Sequence, residues 1–377
     1  MAHILYRYLH AIRNPTTGLL ESFPRSADAD LQHVVFTYDL ALASLVFSHH
    51  QALEEAGATV EFFRSMPLPT PVTPDYNTAY HVDSGLPTLE HAFQVGPLAW
   101  VAIALMQYAK ASGQMLYVDK AAKLLDWVRR HVDHIEGGVV MGTQPPWALR
   151  MSVENNWAYY AALRMAIGSV PDGSLRDALR VEKEDVRRWL SRQGGCRGQG
   201  DSVKALDVYT NALLVGPEAH LEDVTMGDRQ ALAVWAKRWV EELQDLFRVP
   251  GKAGYDYTDA AETRRIGRGR AMWLEGTAQA VVAYQTWAPF FDEIGDPAFA
   301  HELLRWASLA HAGIMRCSLL VGNAVAIPNT DAPEPLKTFA DGWFARPDSE
   351  PALNGTTWTY FAEVGFNPWT TPLTVSP

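Results

Sequence analysis

Met272-Trp273-Leu274-Glu275-Gly276-Thr277-Ala278-Gln279-Ala280 opens an apolar run that continues to Phe291, and a second run, Ala298 to Met315, follows it. The first is apolar on all sides of a helical turn, which marks a helix buried all round. The second has one apolar face, which marks a helix lying on the surface. The pair places a carboxylate, Glu275, beside an indole, Trp273, at the start of the buried helix. The helix dipole alone favours an acid there, so the stretch gains meaning only from the rest of the chain.

The same pairing recurs. Leu40 to Phe47 is apolar and residues 49–63 are amphipathic; Pro97 to Ala109 is followed by Leu116 to Val132. Ser152 to Ile167 precedes Leu175 to Leu190, and Val203 to Val215 precedes Arg229 to Phe247. The apolar run Thr356 to Val364 has no partner after it. Residues 1–13, with Ile4, Leu5, Tyr8, Leu9 and Ile12 at helical spacing, have none before them. Each is the other's missing partner. This is a repeat of architecture rather than of sequence. Six buried helices sheathed by six outer ones predict an all-α fold, an (α/α)6 toroid, as one domain over residues 1–377. Short strands are expected in the rim loops, at Tyr76–Asp83 and Gly137–Gly142. An open α-solenoid would use the same pairs, but the complementary ends favour closure. The longer loops mostly precede the buried helices and therefore share one rim, where a pocket would be built.

Composition narrows the function. Over 377 residues the net charge is −11, which argues against a nucleic-acid or anionic-membrane surface. Thirteen Trp provide flat faces suited to sugar rings as well as core. Two cysteines, Cys196 and Cys317, make neither a disulfide framework nor a zinc cluster. His131 and His134, and the adjacent His49 and His50, lack an evident third ligand, so no metal is expected. The glycines at 194–200 follow no strand, which excludes a phosphate-binding loop, and no cofactor is expected. The N-terminus shows no signal peptide and the chain no membrane-spanning run, so a cytoplasmic protein is the expectation.

Compared at their starts, the buried helices carry Tyr38-Asp39; Gly96-Pro97-Leu98-Ala99-Trp100; Glu154-Asn155-Asn156-Trp157; Asp207 with Tyr209; Trp273 with Glu275; and Thr356-Thr357-Trp358. In a toroid these ends converge on the axis as one acidic, aromatic-lined pocket. Asp207 is expected just beyond the first turn of a helix beginning near Ser202, which can cap it. Asp39 and Glu154 also fit plain first-turn acids.

Tyr38-Asp39-Leu40-Ala41-Leu42-Ala43, Gly96-Pro97-Leu98-Ala99-Trp100, Glu154-Asn155-Asn156, Trp273-Leu274-Glu275-Gly276-Thr277 and Asn367-Pro368-Trp369, in this order, resemble bacterial (α/α)6 proteins of the six-hairpin glycosidase superfamily. The resemblance implies a toroid, carbohydrate-active chemistry and, for a hydrolase, inversion. Glycoside cleavage uses two carboxyls, one as acid and one as base or nucleophile. Glu275 is the expected acid, desolvated by Trp273 and Leu274; Asp39 is the expected base, with Glu154 a rival for either role. Tyr38, Trp100, Asn155, Asn156, Trp157, Asp207, Arg270, Trp273 and Trp358 are expected to bind the carbohydrate. Arg264, Arg265, Arg268 and Arg270, if folded over the pocket, would favour a uronate or other anionic sugar. Asp83, Glu90 and His91 would stand in one wall of the cleft. An epimerase or lyase acting on an acidic sugar, or a non-catalytic carbohydrate-binding toroid, are the alternatives.

Overall fold

The computed structural model describes residues 1–69, 76–88, 93–222, 228–340 and 342–370. Among them run α1 (Ala2–Ala11), α2 (Thr37–His49), α3 (Leu53–Ser65), α4 (Val95–Ser112), α5 (Leu116–His131), α6 (Val153–Ser169) and α7 (Ser174–Leu190). Then come α8 (Leu206–Leu214), α9 (Gly216–Leu221), α10 (Arg229–Phe247), α11 (Ala260–Arg265), α12 (Leu274–Glu293), α13 (Pro297–Arg316) and α14 (Leu353–Val364). Helices α2, α4, α6, α8, α12 and α14 pack each against the next, and α14 packs back on α2. The ring is closed: this is an (α/α)6 toroid. Helices α3, α5, α7, α10 and α13 each lie outside the inner helix they follow, and α1 lies against α14.

The two helix types follow from their residues. In α2 every position from Asp39 to Ser48 is buried, and in α14 every one from Leu353 to Ala362. In α7 the buried positions are Leu179, Glu182, Val186, Trp189 and Leu190, a single stripe. Each large apolar side chain fully buried in the ring contributes roughly 1.5–3 kcal/mol. The fourth inner helix is the exception. It begins at Leu206 rather than near Ser202, because Ala205 is held extended in a bridge to Thr258, and it gives way to α9 at Gly216. Gly216 has φ +80°, a left-handed conformation that glycine adopts without strain.

Short strands line the rim. Val34–Phe36 (β1) pairs antiparallel with Ala79–His81 (β2), and His134–Ile135 (β3) with Gly138–Val139 (β4). Leu319–Val321 (β5), Ala324–Pro328 (β6) and Pro351–Ala352 (β9) form a three-stranded sheet; Leu336–Lys337 (β7) and Phe344–Ala345 (β8) form a hairpin. Isolated bridges Ser152 to Gly198, Ala205 to Thr258 and Trp273 to Thr330 stitch the residues preceding α6, α8 and α12 to neighbouring loops. No helix among the described residues is long and apolar enough to cross a membrane.

Candidate active site

The starts of the inner helices meet. Tyr38, second residue of α2, donates its hydroxyl to Glu275 Oε1, in the first turn of α12, at 2.6 Å. Trp358 of α14 donates its indole N–H to the Tyr38 hydroxyl at 2.7 Å. Gln279, one turn after Glu275, donates to the same Oε1 at 3.3 Å, and its own Oε1 accepts from Thr210 of α8 at 2.8 Å. Four inner helices are thus tied together around one carboxyl. Tyr38 and Gln279 both reach Oε1, and the Trp273 indole also draws the carboxyl down.

Burial pushes the Glu275 carboxyl up to about 8, with Asp39 and Asp207 adding to the rise and the Tyr38 hydroxyl opposing it. Burial likewise raises Glu154, well above the usual carboxylate range, and the charges of Asp207 and Glu275 push it further. Asp207 rises to about 6 by burial, against the pull of the Val208 backbone N–H and the Arg197 charge. Glu154, Asp207 and Glu275 therefore feel one another's charge from the first turns of three successive inner helices. Tyr38, Glu154 and Asp207 are deep in the ring yet keep part of their surface accessible, so an open space reaches them. Asp39 is almost wholly buried; burial raises it to about 7, and the Ser22 hydroxyl draws it down.

The asparagine pair divides. Ser152 caps α6 by accepting from the Asn155 N–H. The Asn155 side chain lies against Gly96 so closely that a Cβ there would come within 2.3 Å of Oδ1, and its Nδ2 is buried without a hydrogen-bond partner among the described residues. The same holds for Asp207 Oδ1. Asn156, expected to bind sugar hydroxyls, does structural work instead. Its Oδ1 accepts from the Val139 N–H, and its Nδ2 donates to Val139 O and Ser152 O. One residue along a helix is a rotation of about 100°, which turns the two side chains apart.

Arginine 270 also departs from expectation. Arg268 pairs with Asp256 at 2.7 Å and Arg270 at 3.0 Å, and Asp256 is fully buried. Arg270 further donates to the carbonyl of Phe247 at the end of α10, where a cation is favoured by the helix dipole. Arg265 pairs with Glu262, and Arg264 is exposed. Arg268 and Arg270 thus hold the loop before α12 together through Asp256.

The aromatic residues form layers. Trp100 packs edge-on against Tyr38 and Trp358, and beside Trp369. Trp273 stacks on Tyr257 with centroids 4.4 Å apart and planes 16° apart. Trp157 meets Tyr160 and His220 edge-on. Gln279 and Tyr257 went unrecognised in the sequence. Gln279 had a signal, its i+4 spacing from Glu275; Tyr257 had none. Asp83 is exposed and bonded to Asn14, while Glu90 and His91 lie outside the described residues. Among the described residues no group of three or more His, Cys, Asp or Glu is arranged to hold a metal ion.

No protein-family model matches the chain, and no curated relative is detectable by sequence. Solved structures do share the fold. A cellobiose 2-epimerase from Spirochaeta thermophila DSM 6192 superposes with a TM-score of 0.70 at 15% identity, covering 97% of this chain and 93% of that one. A sugar epimerase from a ruminal bacterium gives 0.68 at 13%, covering 96% of each. A glycosidase gives 0.63 at 15%, covering 97% of each. The (α/α)6 toroid of this chain is the fold it shares with these solved epimerases and the glycosidase.

Proposed function

We propose that the protein is a glycoside hydrolase that cleaves a neutral hexose oligosaccharide with inversion. Glu275, held through Oε1 by Tyr38 and raised to about 8 beside Glu154 and Asp207, is the observation that carries this proposal. At neutral pH Glu275 keeps its proton, as a general acid must. The carboxyl proton passes from Oε2 to the glycosidic oxygen, and the bond from that oxygen to the anomeric carbon breaks. Water attacks the opposite face of that carbon and gives its proton to the Glu154–Asp207 pair. Because the Asp207 charge raises Glu154, the two do not both ionise readily, and the one charge they share is the base. We take Asp39, the base expected from the sequence, as a supporting group, because its charge adds to the rise of Glu275.

Support comes also from the glycosidase with this fold. It has been solved with glucose, and in variants that remove two glutamates and the hydroxyl of a tyrosine. Tyrosine, glutamate, glutamate is the chain order of Tyr38, Glu154 and Glu275 here. An anionic substrate loses its support, since Arg268 and Arg270 are paired with Asp256.

Epimerisation is the second reading, favoured by the epimerases that share the fold. It would use the same carboxyl pair to remove a sugar C–H proton. Incubation with gluco- and manno-disaccharides in D2O separates the two. Release of monosaccharide with an inverted anomer by NMR, lost in Glu275→Gln, supports hydrolysis; deuterium entering an uncleaved sugar selects epimerisation.

A further inference from the structure

From the carboxyl cluster an aromatic path runs outward. Trp273 stands two residues before Glu275, Tyr257 stacks on it, and Trp343 stands edge-on to Tyr257 with centroids 6.1 Å apart. The environment changes along the path: Trp273 and Tyr257 are buried, whereas Trp343 is 49% exposed. An exposed indole has unspent apolar surface.

Its mount is rigid. The Trp343 carbonyl accepts from both the N–H and the hydroxyl of Thr338, itself fully buried. Gly342 is required there, since a Cβ would come within 2.3 Å of Thr338 Oγ1. The β7–β8 hairpin closes the base of the loop, and the Ala340 N–H donates to Glu262 Oε1 at 3.3 Å. Tyr257 is oriented too, its hydroxyl donating to Asn329 Oδ1 at 2.9 Å. A large aromatic held in place and open to solvent is a preorganised platform.

We infer that Trp343 is an outer sugar subsite, which takes a second or third hexose ring on the leaving-group side of the cleaved bond. The side follows from Glu275: the acid faces the departing oxygen, and Trp273, Tyr257 and Trp343 extend from the acid. The occupant is a neutral sugar ring, because stacking uses its apolar C–H face. This inference rests on the carbohydrate pocket proposed above and adds that substrates longer than a monosaccharide are preferred.

The test separates the two. Calorimetric titration of Glu275→Gln with glucose, and with α- and β-linked glucose di- and trisaccharides, measures binding without turnover. Adding Trp343→Ala is expected to weaken the best trisaccharide about tenfold, and glucose by less than about twofold. Trp343→Phe should recover most of the loss, which a merely structural role would not show. Equal losses for glucose and trisaccharide, or none for either, would overturn the subsite. Length-dependent binding without hydrolysis by the wild type would retain the subsite and remove the hydrolase. No binding of any of these sugars would overturn both.

Discussion

The hydroxyl of Tyr38 and the carboxyl of Glu275 share a hydrogen bond of 2.6 Å across 237 residues of chain. A donor to a carboxylate stabilises its ionised form, so Tyr38 lowers a carboxyl that burial would otherwise raise further. Removing that donor in Tyr38→Phe should raise the Glu275 pKa. If Glu275 is the acid proposed above, it must be protonated to act, and hydrolysis should be lost as pH rises through about 8. The alkaline limb of the pH–rate profile should therefore move up, while kcat at neutral pH falls about 10- to 100-fold through lost orientation. An alkaline limb that stays put would separate Tyr38 from the acid.

A buried carboxyl also costs stability. Glu275 is raised from 4.5 to about 8 on folding, so between those pH values the folded chain holds a proton that the unfolded chain has released. Stability must then fall as pH rises through that window, and level off above it. Glu275→Gln carries no such proton and should melt higher than the wild type at pH 7.5, with the difference shrinking towards pH 4. Equal melting temperatures at pH 7.5 would show that the carboxyl is not raised.

Asn155 and Asn156 should respond differently. Asn156→Ala strips partners from three buried backbone groups and should cost about 2–4 kcal/mol of stability. Asn155→Ala removes an amide whose Nδ2 has no partner, so it should lower sugar affinity while costing less than about 1 kcal/mol. Urea unfolding and sugar titration of both variants check the contrast.

Asp256 is the counter-ion of two arginines. Asp256→Ala leaves both without it and should destabilise by about 3–5 kcal/mol. Arg270→Gln should leave the ratio of uronate to neutral-sugar turnover unchanged. A selective loss of uronate turnover would restore the anionic substrate.

What the sequence made legible was whatever repeats locally. Apolar runs such as Leu40 to Phe47, alternating with one-sided runs such as Leu175 to Leu190, are enough to write down a ring. The concentration of Tyr38, Glu154, Asp207 and Glu275 at its mouth follows from the topology. Contacts set by the path of the loops were not legible. The bridge from Ala205 to Thr258 moves a helix start by one turn, and so puts Asp207 in the first turn. The fate of Arg268 and Arg270 depends on Asp256, in a loop with no periodicity to betray its course.

Trp358 follows Tyr38 by 320 residues, yet its indole holds the hydroxyl that orients Glu275. During synthesis, then, five inner helices can emerge and pack while the acid still lacks its full support. Only when the ribosome has released α14 can the arc become a ring. A chain truncated before α14 would have nearly all its helices and a Tyr38–Glu275 contact without the Trp358 indole behind it. Because such closure joins parts far apart in sequence, α14 packing between α12 and α2 is entropically slow.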